Sequence, residues 1–574
     1  MAALLMAGAA IFTACSSDDA VVEQTPEQSA DKTYTLTVQA SKGMGTRALT
    51  LDETTTPNTL NATWKTDENV YVMKVVEKEG QTWYSSSTMY TPTWADGSLK
   101  PQADGAEATL TGELSGFDIA EGDDLTLQFP RSGDLNYTGQ DGTLGTIATK
   151  YDYATAEITV ASVDEGGNIK ISSSDNPVEF ENQQAIVRFT LLDKAGNAIN
   201  PTELTVFPAV ATAMYQNDGS LVDTSTDLII TPNGSTNVVY AALRGVDNRD
   251  LSLTATVGDD TYTYSKSGVT FTNSKFYDIA VKMAHTPKTY NLAEATGDVT
   301  LRDGDTATGE MTGHTLYIAD GATVTLSGAS VTGSDNGAIR CEGNATILLA
   351  DGTENTAKAK AYRSYSAVHW PSGKTLTISG GTAGTGTLIA DGTSADGAGI
   401  GGGAGHPCGD LSITGGVITA TGGYQSAGIG AVSEGSCGKI TISGGNVTAT
   451  SSDHGAGIGA AATSGDSNCG DILISGGTVT ATGSSHSAGI GYAGGFSASS
   501  VTITGDITSV TATRGSSNAR CISNSSDGSA KIDGKTIDSK YFDGNWEEGL
   551  PDFTHLNLAE RNYYKDALTW TLTQ

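Results

Sequence analysis

The chain has 574 residues, among them 72 glycines and only 13 prolines, with 7% aromatic and 17% charged residues and a formal net charge of −33. Such a length predicts two to four domains rather than one, and the lack of a Gly-X-Y period excludes collagen. The acidity excludes nucleic acid as a partner, because phosphate binding needs a basic surface, and it disfavours polyanionic substrates unless a cation bridges the two. Abundant Thr, Ser, Val and Ile beside the glycines read as all-β with many tight turns.

Residues 1–14 read as a signal peptide. Leu4, Leu5, Met6, Ile11 and Phe12 form an apolar run too short to span a bilayer but suited to an h-region, although no Lys or Arg precedes it. The following Thr13-Ala14-Cys15 resembles a bacterial lipobox, which implies acylation of Cys15 and a lipid anchor in the outer membrane. Ser16-Ser17-Asp18-Asp19 resembles the acidic export signal of surface lipoproteins in Gram-negative anaerobes that bear fimbrillins. Residues 15–31 carry no core-forming pattern and read as an acidic tether.

Period-2 alternation begins at Tyr34, Leu36 and Val38 and recurs near Val70–Val76, Leu125–Phe129, Ile158–Val160 and Val178–Phe180. Separated by Gly-, Asp- and Asn-rich loops, these strands predict a β-sandwich over 32–180. A second set starts at Ala185-Ile186-Val187-Arg188-Phe189 and closes on Lys275-Phe276-Tyr277-Asp278-Ile279-Ala280-Val281-Lys282, predicting another sandwich over 181–285. These two segments, with Gly45-Thr46-Arg47-Ala48-Leu49 and Thr63-Trp64-Lys65-Thr66-Asp67-Glu68-Asn69-Val70, resemble fimbrillin-like surface proteins over roughly residues 30 to 284. The resemblance implies contact with other fimbrial subunits: cleavage between Arg47 and Ala48 would free a groove for a neighbour's strand.

Past His285-Thr286-Pro287 the texture changes to repeats. Ala-Gly-Ile-Gly recurs with isoleucine at 400, 429, 458 and 490, spaced 29, 29 and 32 residues apart, and Cys408, Cys437 and Cys469 follow at spacings of 29 and 32. Each unit adds a strand such as Ile440-Thr441-Ile442-Ser443-Gly444 and another such as Val447-Thr448-Ala449-Thr450. Three short extended pieces with Gly-containing corners make one turn of a three-sided coil. Degenerate copies at Ser366-Ala367-Val368-His369 and Gly337-Ala338-Ile339-Arg340 extend the stack backwards to Thr315-Leu316-Tyr317-Ile318. The expected fold class is therefore all-β: two tandem β-sandwich domains, then a right-handed parallel β-helix over 287–545 of about seven rungs and roughly 30–35 Å. Residues 546–574, with Trp546, Leu556, Tyr563, Tyr564 and Trp570, read as its C-terminal cap.

Cys408, Cys437 and Cys469 share one column, where Ala498 and Gly373 occupy the matching places on other rungs. Small-residue packing, one disulfide between adjacent rungs and a metal site all fit a column, but no ligand spacing supports a metal. A second column, two residues before each corner alanine, reads Asn336, Tyr365, Asp396, Gln425, His454 and His486, with Trp370, Tyr424, Tyr492 and Phe496 nearby. Aromatic faces beside amide, carboxylate and imidazole groups are what sugar recognition uses. Tyr365, Trp370, Asp396, Tyr424, Gln425, His454, His486 and Tyr492 are thus the candidate glycan contacts. Variable polar residues on a solvated corner are the plainer account of the same column.

Repeated Thr-Ala-Thr also suits ordering of water on a threonine face, although threonine is common on exposed strands for propensity alone. Catalysis on this fold needs clustered carboxylates, and between Ile400 and Thr513 the acids Asp410, Glu434, Asp453, Asp466, Asp471 and Asp506 are scattered. No catalytic residue, metal or cofactor is expected. The function expected is a lipid-anchored cell-surface adhesin, or fimbrial tip or accessory subunit, binding glycan or another surface ligand. The alternatives are a glycan-capture lipoprotein of a polysaccharide-uptake system and, third, a β-helix lyase or hydrolase.

Overall fold

The computed structural model describes residues 32–42, 50–52, 59–61, 63–82, 85–131, 134–215, 221–360, 365–394, 396–461, 467–485, 487–491, 500–516, 519–523, 530–532, 535–537, 562–565 and 569–573. Cys15, Arg47, Ala48, His486 and Tyr492 lie outside them.

Strict alternation in Tyr34–Ser41 buries Tyr34, Leu36, Val38 and Ala40 while Thr37 and Gln39 face solvent. This strand pairs antiparallel with Glu107–Ser115 from Tyr34↔Leu114 to Ser41↔Glu107. Ala154–Val163 pairs with Asp124–Phe129 and then, past a bulge at Val160–Ser162, with Asn168–Ile171, so one strand serves both parts of the sheet. The first core gathers Leu36, Val72, Leu110, Leu127, Phe129, Ile158 and Phe180 around Trp64. It also encloses an ion pair: Lys42 Nζ lies 2.5 Å from Glu68 Oε2, and both side chains are 1% exposed.

In the second unit the strand Ala185–Leu192 pairs antiparallel with Val238–Leu243 and parallel with Phe276–Lys282. A separate sheet built on Glu203–Tyr215 and Val246–Val257 covers the same core of Val187, Phe189, Val206, Ile230, Leu253 and Met283. Residues 134–153, placed with the first sandwich by position along the chain, belong to this second core. Asp134–Asn136 pairs with Glu203–Tyr215, and Leu135, Tyr137, Ile147, Tyr151 and Tyr153 are buried among the second unit's residues. The short helix Leu144–Lys150 is capped by Thr143, whose hydroxyl accepts the Thr146 N–H at 3.2 Å, and Asp141 in turn accepts from the Thr143 N–H. The boundary between the sandwiches is thus crossed three times rather than once near residue 180.

From Thr289 the chain coils. Sheet strands stack parallel and in register on three faces. On one face the inward column runs Val299, Leu316, Ile339, Val368, Ile400, Ile429, Ile458, Ile490 and Ile522. Among the described residues nine strands form this face, where about seven rungs were expected. The two extra ones, Val299–Leu301 and Ile522–Ser523, lack the Ala-Gly-Ile signature and keep only its apolar position. At ~4.8 Å per rung, eight intervals give roughly 38 Å. The other faces carry equally uniform columns, Ile378-Ile413-Ile442-Ile474-Ile503 and Ala390-Ala420-Ala449-Ala481-Ala512. Together they form one continuous core. The strand Thr569–Thr573 runs antiparallel along Val501–Thr513 and ends the parallel ladder.

Cys437 pairs in register with Cys469, and Cys408 donates its N–H to Ser436 O at 2.9 Å. All three are buried and outside any disulfide, as are Cys341 and Cys521. The column is a packing column, not a disulfide. Hydrogen bonding to Cys408 and burial push the Cys437 thiol well up, and burial alone takes Cys341 to about 12, so neither ionises at neutral pH. Among the described residues no group of three His, Cys, Asp or Glu side chains is arranged to hold a metal.

The second sandwich meets the first rungs through charges. Asp260 accepts from Lys288 Nζ at 2.8 Å and from Arg302 Nε, and Lys194 pairs with Asp303 at 2.6 Å. Burial pushes the Asp260 carboxyl up, but the hydrogen bonds from Lys288 and Arg302 outweigh it and hold it below the usual range. Asp305, fully buried, accepts the Lys288 and Arg302 backbone N–H groups at 2.8 and 2.7 Å. The head is therefore fastened to the second sandwich by several buried or half-buried charges rather than by a bare linker.

Candidate functional site

Each rung turns from its Thr-Ala-Thr strand into its Ile-Gly strand through a short corner, and these corners stack. Gln425 and His454 occupy the same corner position on adjacent rungs, both with left-handed backbone (φ 51° and 48°). Non-glycine residues rarely adopt it, and such residues concentrate where side chains are being aimed. Gln425 N–H donates to Asp453 O at 3.0 Å and Ser433 N–H donates to Gln425 O at 2.9 Å, fixing the corner against both its neighbours.

Between the corners of two rungs lies a groove of about 590 Å³ lined by Asp396, Ala404, Gly405, Tyr424, Gln425, Ser433 and Glu434. Tyr424 is 51% exposed, the most exposed large aromatic ring among the described residues. Gln425 Nε2 lies 3.3 Å from the Tyr424 hydroxyl, and the His454 ring sits edge-on 6.4 Å away. His454 Nδ1 is 2.6 Å from Asp453 Oδ1. An open ring face flanked by an amide and carboxylates can stack on a sugar ring and hydrogen-bond its hydroxyls.

One rung earlier a second cluster adjoins. Tyr365 stacks on His406 at 3.8 Å with a 26° interplanar angle, and the Arg340 guanidinium carbon lies 4.4 Å from the Tyr365 ring centre. His369, 4.8 Å from Tyr365, points Nδ1 at Gly401 O, 3.2 Å away. Burial, opposed by that hydrogen bond but joined by the Arg340 charge, brings His369 down to about 4. Burial and then Arg340 also lower His406.

The structure brings Asp396, Tyr424 and Gln425 into one groove, with His454 beside it and Tyr365 on the adjoining rung. Trp370 does not join them. It is fully buried in the β-helix core and cannot touch a ligand at the surface, so its assignment as a contact is withdrawn. Trp370 follows the strand Val368–His369 directly and fills the core of a degenerate rung, so closeness to a corner in sequence does not bring its ring to the surface. Ser433, Glu434, His369 and His406 were missed. Glu434 and His406 sit in the segments between Ile-Gly and the cysteine, and the cysteine register (Cys408 over Cys437) was the available signal that these segments stack beside the corners.

These features define a class: an all-β chain whose parallel β-helix presents a polar, aromatic corner strip. A family model described as beta helix repeat matches residues 411–434, 440–462 and 472–491. No curated protein matches the chain. Among solved structures, it is similar to a candidate cell adhesion protein from Bacteroides uniformis, at 12% identity and a TM-score of 0.24 over 44% of this chain and 96% of that one. A counterpart from Bacteroides ovatus has 13% identity and a TM-score of 0.24 over 45% and 96%. The tip fimbrial protein Mfa3 from Porphyromonas gingivalis has 9% identity and a TM-score of 0.24 over 44% and 99%.

Proposed function

We propose that this protein is a cell-surface adhesin, anchored in the outer membrane through lipid on Cys15, whose β-helix head retains glycan at the corner strip. The observation that carries the reading is the groove around Tyr424: an aromatic face half open to solvent, with Gln425, Asp396, Ser433 and Glu434 converging on it. The lipobox-like segment and tether support display outside the cell, and the fimbrillin-like pattern of residues 30 to 284 supports a stalk or a fimbrial tip or accessory role for the two sandwiches. The closing strand Ala284–His285 of the second sandwich pairs with Tyr262–Thr263 and runs directly into the first rung, which suits a domain that carries a head.

The test uses the full chain on a panel of plant, mucin and host glycans, with Tyr424→Ala beside it. Retention of at least one glycan class is expected, weakened about tenfold by loss of the ring. Unchanged retention by the variant would remove the groove from the account, and new reducing ends would make the head an enzyme.

A further inference from the structure

Arg340 differs in setting from those cations of the β-helix that carboxylates hold. Lys288, Arg302, Lys358 and Lys374 each pair with an aspartate. The Arg340 guanidinium makes no hydrogen bond or ion pair among the described residues, and its contact is the ring of Tyr365. It projects outward from the strand Ile339–Cys341, between Tyr317 and His369 in the ladder. Tyr365 is itself held by the stack on His406. A guanidinium laid on an aromatic face keeps its N–H edge for a planar acceptor, the arrangement arginine uses to bind carboxylate or sulfate oxygens through paired hydrogen bonds.

We infer that Arg340, backed by Tyr365 and His406, is an anion subsite that takes a single carboxylate or sulfate substituent of a glycan lying along the corner strip. This rests on reading that strip as the glycan-contact face. One anionic group rather than many follows from the rest of the strip: Asp396, Glu434 and Asp453 would repel a second, as would the net charge of −33. The ligand class is therefore a sparsely charged sugar, such as a chain bearing an isolated uronic acid or one sulfate ester, and not a polyuronate.

The charged and titratable groups around His406 are Arg340, Tyr365 and His369. An anion seated on Arg340 offsets the repulsion that Arg340 exerts on a protonated His406. Its titration then moves up in the complex, and binding tightens as pH falls through that range.

The probes are glucuronate, galactose 6-sulfate, glucose and inorganic sulfate, each titrated well above millimolar into the full chain while the imidazole resonances of His406 and His369 are followed. Glucuronate and galactose 6-sulfate are expected to shift both resonances and raise the His406 titration, and glucose to leave them in place. Inorganic sulfate acting as strongly as the sugar acids would make this a bare anion site and overturn the sugar assignment. Arg340→Gln is expected to abolish the shifts and to weaken retention of acidic over neutral glycans by about tenfold to a hundredfold, with Arg340→Lys restoring only part.

Unmoved resonances with both acids, or an acidic preference that survives Arg340→Gln, would overturn the subsite even if Tyr424→Ala confirms a glycan face. Conversely, a silent Tyr424→Ala removes the strip while the imidazole titration still decides Arg340.

Discussion

Replacing Glu68 by alanine is expected to destabilise the first sandwich by about 3–5 kcal/mol, because it leaves the Lys42 ammonium buried without its counter-ion. Besides Glu68, Lys42 Nζ meets Thr63 O at 2.9 Å and the faces of Trp64 and Phe129, 4.6 and 4.9 Å away. A carbonyl and two ring quadrupoles do not replace a carboxylate in a site closed to water. Changing both partners, Lys42→Met with Glu68→Leu, removes the buried charge as well as the pair and is expected to recover most of the loss. Calorimetry of the full chain checks this. The transition of the first sandwich should fall in the single variant, with those of the other two cores unchanged. A shift worth less than about 1 kcal/mol would mean that water reaches the pair.

Gly430→Ala is expected to cost the β-helix roughly 3–5 kcal/mol, from a disfavoured backbone and a collision in a place that cannot relax. Gly430 has φ 131°, and an added Cβ would lie 2.0 Å from Gly459 O on the next rung. The same position is glycine at 401, 459 and 491, where a Cβ would fall 2.0, 1.9 and 1.8 Å from the carbonyl above. The carbonyls engaged here hold the covering segments: Gly402 N–H donates to Gly430 O at 3.0 Å and Ala431 N–H to Gly459 O at 2.8 Å. Separating these rungs therefore also opens the groove around Tyr424. Each rung touches mainly its neighbours, so the damage should centre on residues 401–459 and appear as new proteolytic cuts there. Gly297→Ala, whose methyl would meet no atom within 4 Å, is the control and should be near neutral. Equal stability of the two variants would contradict the register.

The glycine column also explains what was legible. Where Ala-Gly-Ile-Gly repeats, identical inward residues stack at a fixed spacing, and the register of Ile400, Ile429, Ile458 and Ile490 follows from counting. The terminal rungs at Val299 and Ile522 are not legible because their strands, Val299-Thr300-Leu301 and Ile522-Ser523, lack the Ala-Gly-Ile signature that marks the register elsewhere. Position along the chain does not reveal that residues 134–153 enter the second core before the chain returns to the first at Ala154; no local pattern states which of two adjacent cores an alternating strand enters. The pair Lys42–Glu68 was invisible because the two residues are distant in sequence and each reads as ordinary surface charge. At the site, the corner column pointed to Asp396, Tyr424 and Gln425. Its partners His406 and Glu434 come from other segments that only the stacking brings alongside, and Trp370 shows that an aromatic near a corner can face the core.

The central claim is that ligand meets the corners and not the strand faces. The most direct test is hydrogen–deuterium exchange of the full chain with and without the glycan class it retains best, read peptide by peptide. The expected result is protection confined to the corner segments around 392–409 and 424–437, next to Asp396, Tyr424 and Glu434. Protection on the threonine face at Thr419, Thr448 and Thr480, or within the two sandwiches with the corners unchanged, would contradict it.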